Sequence, residues 1–348
     1  MRLGKALPLR TILFPVFVMI SMILGVELSF RASNYIAGVS TFGIPIGLFF
    51  MIYPAMTKVH LKEILGGMKD IRKLGLMVFL NYAIAPFLVA GLGYFFFFEI
   101  FERFGLINSQ IGSQVLVGII LLGVAPCIAM VMVWTDLAKG NLAAGVSFVA
   151  WNSIIQVLTT PFLVYLLART TLIIDPLVIL KSVLLYLVSP LVAGSLTRYL
   201  LSRKKYFTGL LNLLGGVQIL ALMFTIVSIF WSTGSGILDH ASLIWMVGVV
   251  MLSFYFVLFH LGYFAARKAK FDYPDSTAIG FTVSARDFEI SIAIAIVAFA
   301  AYPYVILTTA IGPLLEIPLM LMIVWLQLSR RNAILNSNAI KEVSVAEK

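Results

Sequence analysis

Arg286, Asp287 and Glu289 lie within four positions of one another, in the run Thr-Val-Ser-Ala-Arg-Asp-Phe-Glu-Ile-Ser at residues 282–291. A guanidinium can hold an anion, and a carboxyl can accept and release a proton. The residues that follow, 292–299, carry no polar group. If this stretch lies in a bilayer, each charge costs about 2.5–3.5 kcal/mol at its centre. Three such groups mark a cavity, a partner or a transported species.

Other polar groups stand in similarly apolar surroundings. Cys127 is the single cysteine and follows Pro126, so no disulfide forms within the chain. A lone membrane cysteine is commonly a small apolar filler, and reactivity needs an activating environment. Glu316 sits between Pro313 and Pro318, where it is either a cation or proton site or a helix-packing residue. Asn152 and Gln156, four apart, share one helix face with Ser153 beside them. Such groups line a cavity or join neighbouring helices. Glu289 is either a proton carrier or the ion-pair partner of Arg286, three residues away on the same face if the segment is helical. Burial and Arg286 act on its charge in opposite senses.

The elements that must position these groups follow from composition. The 348 residues are 61% apolar and 11% charged, with a mean hydropathy of +1.05. Soluble domains carry about 25% charged residues. Apolar runs of twenty or more alternate with short polar loops, the signature of membrane-spanning helices. Ten spans are expected: 11–30, 35–56, 74–98, 113–135, 142–167, 177–198, 208–231, 242–265, 276–301 and 304–328. Arg2, Lys5 and Arg10 precede the first, as in a signal peptide. Its run is too long and no small-residue cleavage site follows, so it reads as a retained helix. With the amino terminus inside, twenty of the 25 Lys and Arg fall in inside segments. Only Arg31, Arg103 and Arg169 fall outside, and Lys181 and Arg286 lie within spans. This is a positive-inside pattern with both termini cytoplasmic. It explains the net charge of +10 without nucleic acid.

Ten spans divide into two sets of five, and five is odd, so a second copy must be inverted: 1–170, then 171–330, then a cytoplasmic tail at 331–348. The fold class expected is an all-α membrane protein of two inverted five-helix repeats. Inverted-repeat transporters place the site between discontinuous helices. Span four contains Gly123-Val-Ala-Pro-Cys127, and Pro126 predicts a break between Gly123 and Pro126. Span nine, the fourth of its half, holds Arg286–Glu289 without a proline or glycine, so its break is expected from position alone.

The chain resembles the arsenical-resistance (arsenite efflux) permease family of the bile acid/arsenite/riboflavin transporter superfamily. The likeness runs over nearly the whole sequence. It is carried by Met51-Ile-Tyr-Pro54, Asn81-Tyr-Ala-Ile-Ala-Pro86, Pro126-Cys-Ile-Ala-Met-Val-Met-Val-Trp134, Asp136-Leu-Ala-Lys-Gly140, Trp151-Asn-Ser-Ile-Ile-Gln156, Phe288-Glu-Ile-Ser-Ile-Ala-Ile-Ala295 and Ile311-Gly-Pro-Leu-Leu-Glu-Ile-Pro318. The resemblance implies broken, crossing helices four and nine and proton-coupled efflux of trivalent arsenite. It implies functional roles for the helix-four cysteine and the helix-nine glutamate, here Cys127 and Glu289. A thiolate is a soft ligand suited to As(III), and a single cysteine suits releasable binding. Where that family usually has two asparagines, this chain has Arg286 and Asp287. That pair is self-neutralising, yet it offers a guanidinium to an anion.

The activity expected from this resemblance is secondary active transport, proton-coupled efflux of arsenite or a related metalloid across a cell membrane; the partners are a small inorganic or organic ion as cargo and H⁺ or Na⁺ as coupling ion. Substrate contacts are assigned to Cys127, Glu289, Arg286, Asp287, Asn152 and Gln156, and coupling to Glu289 and Glu316. The alternative is a sodium-coupled importer of an organic anion. A membrane receptor is disfavoured by the short loops. An enzyme is disfavoured because no nucleophile–base set, phosphate loop or metal constellation is present. No cofactor is expected, and His60, His240 and His260 are scattered. Asp136 and Lys139 are expected at a solvated helix end, Lys181 snorkels to headgroups, and the polybasic stretch 57–73 suits the cytoplasmic membrane surface.

Overall fold

The computed structural model describes residues 9–58, 70–128, 130–169, 171–172 and 175–346. His60 and most of the polybasic stretch 57–73, including Lys62 and Lys69, lie outside the described residues. The described chain is helical throughout, with no strand. The helices are α1 (Leu9–Arg31), α2 (Ile44–Lys58), α3 (Ile71–Glu102), α4 (Ser109–Val124), α5 (Val131–Leu137), α6 (Leu142–Ala168), α7 (Pro176–Leu201), α8 (Phe207–Asp239), α9 (Ala241–Lys268), α10 (Tyr273–Ser284), α11 (Phe288–Ala298) and α12 (Pro303–Ala346). Six are long and apolar enough to cross a membrane: α3, α6, α7, α8, α9 and α12. Leu158, Leu220 and Trp325 are among many large apolar side chains on the outer surface. A soluble protein would bury them; a bilayer solvates them.

Local chemistry sets the boundaries. Asp70, Asn108, Asn141, Asp175 and Asp272 each cap a helix, their side-chain oxygens accepting a backbone N–H of the first turn. Prolines shape the interiors. A wide π-helical turn at Leu80–Ile84 of α3 comes just before Pro86, and another at Leu184–Val188 of α7 comes just before Pro190. A proline lacks the donor for the i−4 carbonyl and crowds it, and a widened turn accommodates both.

The helices form two packed groups. α1, α2, α8 and the second part of α7 pack together. α3, α4, α5, α6, α9, α10, α11 and α12 pack around the short gaps α4–α5 and α10–α11. The first part of α7 lies against α6 and α11, and α8 also touches α12. Span four thus appears as α4 and α5, and span nine as α10 and α11. The expected second span at 35–56 is helical: a 3-10 turn at Ser33–Tyr35, one helical turn at Ile36–Gly38 and a wide π-helical turn at Val39–Gly43 run straight into α2.

Gly123 lies in the last turn of α4, at the start of the expected Gly123–Pro126 break. A Cβ there would fall 2.5 Å from Val89 of α3, so Gly123 permits close packing of two helices. The break begins two residues later.

Candidate functional site

Pro126 drives the residue before it out of the helical region, and Ala125 is extended at φ −86°, ψ 118°. That ends α4 and leaves its last carbonyls without intrahelical partners. Ala285 is likewise extended, at φ −65°, ψ 139°, and ends α10. The two gaps cross and satisfy one another. Cys127 N donates to Ala285 O at 3.1 Å, and Asp287 N donates to Ala125 O at 2.9 Å. Pro126 and Arg286 form an antiparallel bridge, the isolated bridge seen among the described residues. Ser291 Oγ donates to Leu121 O at 2.7 Å, serving another orphan carbonyl at the end of α4. Asp287 Oδ1 accepts from Ile290 N at 3.1 Å and starts α11.

Four ionisable side chains surround this crossing, and Arg286, Asp287, Glu289 and Glu316 are all buried. Arg286 Nη2 donates to Asn81 Oδ1 at 3.1 Å and to Val283 O. Its guanidinium lies 5.4 Å from the centre of the Phe254 ring, a cation–π contact. Its Nε and Nη1 have no hydrogen-bond partner among the described residues. Glu316 accepts from Tyr255 OH at 3.1 Å and from the backbone N of Arg286 at 3.3 Å. The carboxyls of Asp287 and Glu289 lie within interaction range of each other. Cys127, also buried, lies within electrostatic range of Arg286 and Tyr255.

A polar row on α6 reaches the same region. Asn152 Oδ1 accepts from Asn81 Nδ2 at 3.4 Å and Tyr82 OH at 3.3 Å. Asn81 Nδ2 also reaches Thr282 O of α10, at 3.3 Å. One turn along α6, neither amide atom of Gln156 has a partner among the described residues, and neither does Thr160 Oγ1 one turn further. Two broken helices pair their backbones beside a buried set of acids, a cation and amides, a polar cluster in an apolar bundle.

A family model described as the Sodium Bile acid symporter family matches residues 45–240. The chain belongs to the sodium bile acid symporter family. Among curated relatives, the arsenical-resistance protein Acr3 of Alkaliphilus metalliredigens is 32% identical over 286 residues, covering 81% of this chain and 80% of that protein. The arsenical-resistance protein Acr3 of Corynebacterium glutamicum is 28% identical over 344 residues, 94% of this chain and 89% of that protein. A sodium-dependent transporter of Bacillus subtilis, YocS, is 25% identical over 252 residues, 72% and 69% of the two chains. Resemblance to arsenical-resistance permeases within the bile acid symporter group therefore holds, and this family member is a transporter.

The structure brings Cys127, Arg286, Asp287, Glu289, Glu316 and Asn152 to one region of this transporter, with Gln156 a helical turn from Asn152. Two expected relations fail. Arg286 and Asp287 do not neutralise each other: among the described residues the ion pairs are Arg31–Glu27, Lys73–Asp70 and Lys73–Asp275. Nor do Arg286 and Glu289 share a helix face. Residues 285–287 are unwound, so the i, i+3 relation does not apply. Arg286 turns to Asn81, and Glu289 turns to Asp287. Asp136, Lys139 and Lys181 are exposed, as their placement at helix ends predicts.

Three site residues escaped sequence reasoning. Asn81 and Tyr82 sit in the π-helical turn of α3, and Tyr255 holds Glu316 from α9. A usable signal was present for the first two: an asparagine in an apolar run five residues before a proline. Tyr255 carried none, because a tyrosine in an apolar span is ordinary.

Proposed function

We propose that this chain is a ten-span secondary transporter of two inverted five-helix repeats, 1–170 and 171–330, that exports arsenite or a related metalloid against a proton gradient. The crossing of the two helix breaks at Cys127 and Arg286 carries the reading. The two arsenical-resistance relatives support it. Cys127 meets the metalloid transiently as a soft ligand, and Asp287 and Glu289 hold and release the coupling proton. Glu316 steadies the second break through its bond to the Arg286 backbone. Asn152 and Gln156 line the path. The Lys and Arg distribution puts both termini, and the ends of α3, α6 and α10 near Lys73, in the cytoplasm of a cell-membrane protein.

Everted vesicles with an imposed pH gradient test this. Wild type is expected to accumulate As(III), and both Cys127→Ala and Glu289→Gln are expected to abolish accumulation while inserting normally. Wild-type vesicles that stay empty of As(III) refute the export reading.

The second reading is sodium-driven uptake of an organic anion. The family description and the sodium-dependent relative favour it, as does the buried guanidinium of Arg286. Replacing the proton gradient with a sodium gradient separates the two.

A further inference from the structure

Arg286 is fully buried and ion-paired with no carboxylate among the described residues. A buried guanidinium in that state is costly, because its lost hydration shell is restored neither by a direct ion pair nor by a full set of acceptors, and Glu316 acts on its charge only from a distance. What the fold does supply is position. Asn81 and Val283 hold Nη2, Phe254 lies under the guanidinium, and the Arg286 backbone is fixed by Glu316 and the bridge to Pro126. Asn81 is itself fixed, since its Nδ2 reaches Met77, Asn152 and Thr282. Among the described residues Nε and Nη1 are left as donors, with Cys127 in electrostatic range.

We propose that the cargo binds at this crossing as a small oxyanion, accepted by the Nε and Nη1 donors of Arg286, and that Asn81 is the positioning residue that aims the guanidinium. The inference deepens the transport reading above, for it names the charge of the cargo. It makes Arg286 the residue that separates charged from neutral cargo. A neutral metalloid hydroxide leaves the buried cation uncompensated; its monoanion, or a small carboxylate, does not. Phe254 and Asn81 contribute shape and aim rather than charge, so a lysine at 286 keeps the preference for anions but loses the fixed donor geometry.

The test is binding to the purified full chain at constant ionic strength, read as a saturable rise in thermal midpoint. Acetate, pyruvate and inorganic phosphate are compared with acetamide, the neutral match for acetate. At least one anion is expected to stabilise wild type while acetamide does not. Arg286→Asn is expected to remove the response. Arg286→Lys keeps the preference at roughly ten-fold weaker apparent affinity. Asn81→Ala also weakens affinity about ten-fold, with the saturating rise unchanged. Equal stabilisation by acetamide and acetate overturns the proposal, as does an Arg286→Asn response equal to wild type, or no response to any anion. As(III) flux in vesicles is read separately. Flux without anion preference defeats this inference alone, and anion preference without flux defeats the arsenite reading alone.

Discussion

Helices α3, α6 and α10 meet at two heights, and the polar groups at each are treated differently. At one height Asn81, Asn152 and the carbonyl of Thr282 converge. Some eight residues along α3, about 12 Å by helical rise, Lys73, Asn141 and Asp275 converge. The second cluster is saturated. Lys73 Nζ bonds Asp70 at 2.9 Å and also Asp275. Asn141 Nδ2 donates to Asp275 Oδ1 at 2.7 Å while its Oδ1 caps α6, and Asn141 N donates to Pro274 O at 2.9 Å. The first cluster is left incomplete, with the Asn152 Nδ2, both Gln156 amide atoms and two Arg286 nitrogens unpartnered among the described residues. The same three helices thus carry a joint that holds and a joint whose polar groups remain available. Completing hydrogen bonds favours stability, and leaving them open keeps groups for a ligand.

Substitutions sharpen that contrast because stability and transport should respond oppositely at the two heights. The largest effect is expected for Arg286→Gln: transport falls roughly 100-fold, equivalent to about 2.7 kcal/mol, while the thermal midpoint holds or rises as an uncompensated buried charge disappears. A large drop in midpoint would mean that Arg286 is structural. Next is Lys73→Met, which strips the cation from two carboxylates. It should cost about 2–3 kcal/mol, between the values for exposed and buried pairs, seen as a lower midpoint with unchanged flux per folded molecule. Gln156→Leu should slow transport several-fold yet change stability by less than about 1 kcal/mol, because no protein hydrogen bond is lost. The smallest effect is expected for Asp70→Asn, which keeps the helix cap and removes only the exposed ion pair, worth about 0.5 kcal/mol. The side-chain hydrogen bond from Lys73 holds the Asp70 carboxyl below the ordinary carboxylate range. Its contribution is therefore complete above that range and is lost as pH falls through the lowered value. Melting wild type and variant across acidic pH checks this: the curves should merge at the acid end.

How far the sequence revealed these features depended on distance along the chain. The α4 break was legible because Pro126 acts on its own neighbours. The α10–α11 break was less so, since no breaker stands there. It is held open by backbone partners at Ala125 and Cys127, in the other half of the chain, with Asp287 as a local cap. The packing role of Gly123 was not legible for the same reason: what it accommodates is Val89, on another helix. The mutual neutralisation expected of Arg286 and Asp287 assumed that neighbours in sequence stay neighbours in space, and unwinding the segment separated them. Charges in apolar runs did lead to the crossing of the two helix breaks, because their cost in a bilayer does not depend on knowing the fold.

The backbone pairing between the two gaps also bears on how the molecule is made. Ala125 O and Cys127 N find their partners on residues that leave the ribosome only after most of the later helices have been synthesised. Until then the gap after α4 has exposed peptide groups in a medium that solvates them poorly. The nascent first half therefore waits, sheltered by water, lipid headgroups or insertion machinery, and the crossing closes as a late step of assembly. A ribosome stalled before residue 285 would hold a chain with α4 already formed and its central joint still open.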